Sequence, residues 1–146
     1  MHMESPRIAA VDDDPMWLSL LGRALAREGL HASLIGDADR AVDQIVREKP
    51  NVVVLDYGLP RTNGARLARE IHERLGDDCP AMCLITGDLR GVSEEDRAVF
   101  DAALEKPVPL GVLLHTLRTL IRKRPASGMR MRAVLPEEDS SWTKVR

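Results

Sequence analysis

Three aspartates stand in a row at the end of the first apolar run, Val11-Asp12-Asp13-Asp14, and a fourth, Asp56, ends a second run, Val52-Val53-Val54-Leu55. An apolar run that reads straight into a carboxylate places that carboxylate at the carboxyl end of a buried parallel strand. In open α/β sheets that edge is where ligands bind. Two such strand ends side by side crowd several negative charges into one crevice. Like charges that close are costly unless a cation neutralises them or some of the carboxylates stay protonated. Hard oxygen donors of this kind suit magnesium, which takes one or two carboxylates together with waters and phosphate oxygens. The residues alone therefore point to a small acidic site for a metal and a phosphate.

Such a site needs strands laid side by side, and the pattern of the chain supplies them. Apolar runs predict strands at Arg7–Val11, Ala32–Ile35, Val52–Leu55, Ala81–Thr86 and Ala102–Glu105. Several are continuously apolar, as strands covered on both faces are. Helical patterns separate them. Asp14-Pro15 is a start signal, with Asp as N-cap and Pro at the first helical position. Leu18, Leu21 and Leu25 then share a face, and Glu28-Gly29 ends the helix. Ala38–Lys49 carries Val42, Ile45 and Val46 and is stopped by Pro50, and Asn63–Leu75 carries Leu67, Ala68 and Ile71 and is stopped by Gly76. Ser93-Glu94-Glu95 begins a short fourth helix. Leu110, Leu113, Leu114, Leu117 and Ile121 repeat at three and four, which is core packing. Five strands alternating with five helices predict an α/β fold, a flavodoxin-like, doubly wound parallel sheet with right-handed crossovers and helices on both faces.

Composition fixes the class. At 146 residues the chain has room for one well-buried core over residues 6–124 and a linker or tail over 125–146, opening with Pro125-Ala126-Ser127-Gly128. Met1-His2-Met3 reads as a scar before a native Met3. A formal net charge of −2 gives no bulk argument for nucleic acid or membrane binding, and 3% aromatic residues provide no stacking platform for single strands. No apolar run approaches a membrane span and no secretory signal precedes the first strand, so a cytoplasmic protein is expected. Cys79 and Cys83 read as lying on one strand, about 13 Å apart, too far for an intrastrand disulfide, and are expected as reduced, partly buried thiols. His2, His31, His72 and His115 show no ligand spacing, and Trp17 and Trp142 have no assigned role.

Four short motifs recur at strand ends: the acidic pair Val11-Asp12-Asp13, the loop Asp56-Tyr57-Gly58-Leu59-Pro60-Arg61-Thr62-Asn63-Gly64, the hydroxyl of Ile85-Thr86-Gly87, and Lys106-Pro107. Each is weak alone; together, each at the carboxyl end of a predicted strand, they are specific. Over roughly Pro6 to Arg124 the chain resembles the receiver domains of two-component response regulators. The resemblance implies that Asp56 accepts a phosphoryl group as nucleophile. It implies a Mg2+ ion held by Asp13, by Asp12 through water, by Asp56 and by the backbone carbonyl of Gly58. Lys106 would pair with Asp56 and then with a phosphoryl oxygen, and the Thr86 hydroxyl would hydrogen-bond another. A cis Lys106-Pro107 bond is expected as in the family. The implied partners are a bacterial sensor histidine kinase or phosphotransfer protein and a downstream protein target, with a homodimer left open. Autodephosphorylation is the most enzyme-like activity the resemblance implies. Asp14 is sufficiently explained as an N-cap, and Gly58 and Gly64 as turn residues.

Two other classes compete. A haloacid-dehalogenase-type phosphatase also uses a strand-end Asp, a Ser or Thr and a Lys, but wants a second acid two residues after the nucleophile, where this chain has Gly58. Its acidic metal pair also follows the Lys, whereas here Asp12 and Asp13 come first. A receiver-like interaction module that is not phosphorylated need not keep all the site residues. No effector pattern follows Arg124, so direct DNA binding by this segment is not expected. The family usually places an aromatic three residues before the Lys. Here that residue is Ala103, with Phe100 as the nearby aromatic, so the readout is expected from the Thr86–Ser93 loop and the fourth helix, with Gly87 and Gly91 as flexible points.

Overall fold

The apolar runs form the centre of a single five-stranded sheet in a computed structural model that describes residues 6–123. The tail 125–146 with Trp142, and Met1-His2-Met3, lie outside the described residues. The strands are β1 (Arg7–Val11), β2 (His31–Ile35), β3 (Val52–Asp56), β4 (Ala81–Thr86) and β5 (Ala102–Glu105). All pair in parallel, in the order β2-β1-β3-β4-β5. The helices are α1 (Pro15–Arg27), α2 (Ala38–Glu48), α3 (Gly64–Leu75), α4 (Glu94–Arg97) and α5 (Leu110–Lys123), with 3-10 turns at Gly76–Asp78 and Leu89–Gly91.

Strands with no polar alternation need cover on both faces, and two separate cores provide it. Val53, Leu55, Met82 and Leu84 pack with Ile45, Ala68, Ile71 and Phe100, while Val52, Val54, Cys83 and Ile85 pack with Leu21, Leu25, Leu113 and Leu117. Neighbours along one strand thus serve opposite cores, as the period of two requires. Trp17 lies partly buried against the α1 and α5 side. The chain leaves β1 in one direction for β2 and returns past it to β3. The crevice between the ends of β1 and β3 is therefore the point where the strand order reverses, the place for a ligand in a doubly wound sheet.

Element ends differ from the sequence reading by single residues, each for a local reason. Lys49, expected as the last helical residue of the second helix, is instead its C-cap in the left-handed region at φ 50°. The following Pro50 disfavours the α conformation at the residue before it. Asn63 and Ser93 stand outside α3 and α4 as N-caps, accepting from the backbone N–H of Arg66 at 2.9 Å and of Asp96 at 3.1 Å. The strand expected from Ala32 begins at His31, whose N–H donates to the carbonyl of Pro6. Cys79 is not on β4: it closes the 3-10 turn before the strand. Both thiols are buried, more so than expected, with no disulfide between them, and burial pushes Cys83 up to about 12, leaving it protonated and inert. Among the described residues no helix is long and apolar enough to cross a membrane.

Candidate acidic site

Sheet pairing decides which side chains meet. Val11 is level with Leu55, so Asp12 and Asp56 leave adjacent strands at nearly the same height. Asp12 is 3% exposed and Asp56 7%. Asp12 is held in place on both sides: its N–H donates to the carbonyl of Ile35 at 3.2 Å, and its Oδ1 accepts the Asp14 N–H at 2.9 Å. Asp13 is exposed. One carboxylate oxygen from each of Asp12, Asp13 and Asp56 lies within 4.8 Å of the others. Asp14 turns away and caps α1, accepting the Met16 N–H at 3.0 Å.

Lys106 reaches into this cluster from the end of β5. Its Nζ lies 3.2 Å from Asp12 Oδ2 and 3.5 Å from Asp56 Oδ1. Its N–H donates to the carbonyl of Thr86 at 2.8 Å, and the Lys106-Pro107 peptide is cis, as the resemblance implies. Burial, and then the neighbouring Asp12, raise the Asp56 carboxyl above its ordinary value, against Lys106 and a hydrogen bond from the Gly58 backbone. Burial would lower the Lys106 ammonium, but Asp56 and Asp12 together outweigh it and the group is raised.

The donor set fits a divalent cation. Among the described residues three carboxylates face one ammonium, so with all of them ionised two negative charges are left uncompensated there. All the side-chain donors are hard oxygens, the set magnesium takes. Thr86 stands at the end of β4, one residue beyond the partner of Asp56, and is buried. Its Oγ1 accepts the Asp88 N–H at 3.1 Å. The sequence-predicted residues Asp12, Asp13, Asp56 and Lys106 are thus gathered within direct reach, with Thr86 on the neighbouring strand end and Gly58 two residues past Asp56.

Contacts that the sequence reading did not foresee complete the surroundings. A Cβ on Gly64 would stand 2.6 Å from the carbonyl oxygen of Asp56, so this glycine is required by close approach and not merely by a turn. Phe100 is not the only aromatic to consider. Tyr57 Oη donates to Asp96 Oδ2 on α4 at 2.8 Å, and Arg69 on α3 holds Asp96 Oδ1, also at 2.8 Å. The hydrogen bond from Tyr57 holds the Asp96 carboxyl low against its partial burial, helped by Arg69, and the same bond raises the Tyr57 phenol. Glu105 Oε2 accepts the Leu89 N–H at 2.9 Å. No periodicity signals pairs this far apart in sequence. The only trace is a tyrosine directly after the strand-end aspartate.

Residues 8–118 match the family model described as the response regulator receiver domain. The chain is 35% identical over 120 residues to response regulator MprA of Mycobacterium leprae (strain TN), covering 80% of this chain and 51% of that protein. It thus spans about half the length of the curated relatives it matches. Among solved structures, a CheY-like receiver domain protein from Methanospirillum hungatei JF-1 superposes with a TM-score of 0.72 at 25% identity, covering 81% of this chain and 94% of that one. The BeF3-activated N-terminal receiver domain of Klebsiella pneumoniae RstA superposes with a TM-score of 0.69 at 28% identity, covering 80% and 98%.

Proposed function

The chain belongs to the response regulator receiver domain family, whose work is phosphorylation-dependent two-component signalling, and we propose that Asp56 is its phosphoryl acceptor. The observation that carries this is the charge imbalance at the end of β3: a buried nucleophilic carboxylate beside two further carboxylates, with Lys106 the one ammonium among them in the described residues. A carboxylate oxygen of Asp56 attacks phosphorus, the bond from phosphorus to the donor imidazole nitrogen breaks, and the nitrogen leaves with the electron pair. Asp12, Asp13, Asp56 and the Gly58 carbonyl are the groups that would hold Mg2+, which when bound supplies positive charge beside the transferring phosphoryl oxygens. Lys106 shifts from pairing with Asp56 to pairing with a phosphoryl oxygen, and the Thr86 hydroxyl donates to another. Water attack on the resulting acyl phosphate would return the protein to rest, so turnover is limited to self-dephosphorylation.

The donor is a sensor histidine kinase or a phosphotransfer protein and the recipient of the signal a downstream protein, in the cytoplasm, with residues 6–124 as the switching unit and 125–146 as linker or tail. A homodimer is compatible with this role. Gly58 offers no acid for protonating a leaving group two residues after the nucleophile, which disfavours a phosphatase acting on external substrates.

Incubation with acetyl phosphate and magnesium, followed by intact-mass measurement, tests the acceptor. One labile phosphoryl adduct is expected, lost in Asp56→Asn and suppressed by excess chelator. An adduct that survives the substitution, or that forms equally well in chelator, overturns the assignment.

A further inference from the structure

Helix α4 is a single turn, Glu94–Arg97, far below the length at which a helix supports itself in water. It is held by what it touches. Val92 and Phe100 are buried on either side of it, Ser93 caps it, and Asp96 at its centre makes the two polar contacts described above. Those contacts lead back to the acceptor. Arg69 comes from α3, whose first residue lies against the Asp56 carbonyl, and it also donates to the Glu95 carbonyl at 3.3 Å. Tyr57 is joined to Asp56 by a peptide bond.

The backbone of Tyr57 has little freedom of its own. Its N–H donates to the carbonyl of Ile85, immediately before Thr86, at 2.9 Å. Its carbonyl accepts from Leu59 at 3.1 Å and from Gly64 at 3.2 Å. A movement of the Asp56 or Thr86 strand end therefore moves the Tyr57 peptide, and the ring carries that movement to a hydroxyl fixed on α4. Ala103 on β5 has no side-chain rotamer that could do the same.

We infer that the Tyr57–Asp96 hydrogen bond, backed by Arg69, couples the occupancy of Asp56 to the position of α4, with Asp96 as a positioning residue at the far end. The inference rests on Asp56 being the acceptor. It predicts that α4 is the segment whose protection changes when the adduct forms, and that the change depends on a hydroxyl on ring 57.

Hydrogen exchange of residues 93–98 in the full chain, with and without acetyl phosphate and magnesium, reads the coupling in the wild type, Tyr57→Phe and Asp96→Ala. Intact mass measured on the same samples gives the adduct fraction. The wild-type adduct should change exchange at 93–98. Both variants should take up the adduct, exchange about fivefold faster at rest, as loss of one hydrogen bond gives, and no longer respond to it. A merely structural role would raise resting exchange and leave the response intact, so a response retained in either variant overturns the coupling. An adduct that leaves wild-type exchange at 93–98 unchanged overturns it as well. A wild-type chain that forms no adduct overturns the acceptor assignment and the coupling with it, a result distinct from adduct without coupling. Should Tyr57→Phe fold poorly, Asp96→Ala decides alone.

Discussion

The carbonyl oxygen of Asp56 occupies the space in which a side chain at Gly64 would begin, 2.6 Å from the position of a Cβ. The obstacle is backbone, and backbone at the end of a central strand does not yield as a flexible side chain would. Gly64→Ala is therefore expected to push Asp56 out of place. Stability should fall by about 1–3 kcal/mol, the usual cost of overpacking, and phosphoryl uptake from acetyl phosphate should slow. Gly58→Ala, where an added Cβ meets nothing within 4 Å, is the control and should leave stability nearly unchanged. Equal costs in urea denaturation would show that the contact is readily relieved.

Burial and Asp12 raise the Asp56 carboxyl, so the folded state holds its proton to higher pH than the unfolded chain does. Between the two pKa values the native state binds more protons, and this group's contribution to stability falls as pH rises through that window. At neutral pH without metal the ionised carboxylate is a burden. Asp56→Asn should raise stability in chelator, because the desolvation and like-charge cost is removed, with Lys106 keeping Asp12 as partner. The gain should shrink as pH is lowered toward the ordinary carboxylate value. Urea denaturation of both proteins across pH checks the sign; a variant clearly less stable at neutral pH would mean that the Lys106 contact outweighs burial.

Magnesium should reverse that burden. At a free concentration a hundredfold above its dissociation constant, a cation that binds only the folded chain stabilises it by about 2.7 kcal/mol. Asp13 is the exposed member of the cluster, so Asp13→Asn should cost little in chelator while losing most of the gain on adding magnesium. Thermal unfolding with and without the ion reads both quantities. A full magnesium shift retained in Asp13→Asn would remove Asp13 from the ligand set.

Asp12, Asp56 and Lys106 were legible from sequence because each directly follows or ends a run of strand residues, and parallel pairing then brings such ends together. The five strands were legible for the same reason, and Pro50, Asn63 and Ser93 marked helix ends between them. The surroundings of the site were not. Tyr57 and Asp96 are 39 residues apart and meet only because the tertiary fold brings α4 beside the residue that follows β3 and beside Arg69 of α3. Four residues of helix carry too little period to reveal a buried face. The tightness at Gly64 depends on the backbone path of β3, which no residue type announces. The Thr86–Ser93 stretch, read as a loop hinged at its glycines, instead contains a 3-10 turn with Leu89 and Val92 buried.

That turn is pinned at three amides. Asp88 N–H donates to Thr86 Oγ1, Leu89 N–H to Glu105 Oε2, and Gly91 N–H to Asp88 Oδ1 at 3.2 Å. Of these the Leu89 bond has a carboxylate acceptor on a different strand, so it is the one that ties the segment to the sheet. A hydrogen bond to a charged group contributes about 1.5–3 kcal/mol, and each 1.4 kcal/mol is roughly tenfold in an opening equilibrium. Glu105→Ala should therefore let the Leu89 amide exchange about tenfold faster or more. Glu105→Gln keeps an oxygen acceptor without the charge and should fall between. Phosphoryl uptake at Asp56 should be unaffected, because the Glu105 carboxylate is turned to the Leu89 amide and takes no part in the acidic cluster. Unchanged protection of Leu89 in Glu105→Ala would show that burial of Leu89 and Val92 alone holds the segment. A collapse of uptake would place Glu105 in the chemistry, acting through its neighbour Lys106.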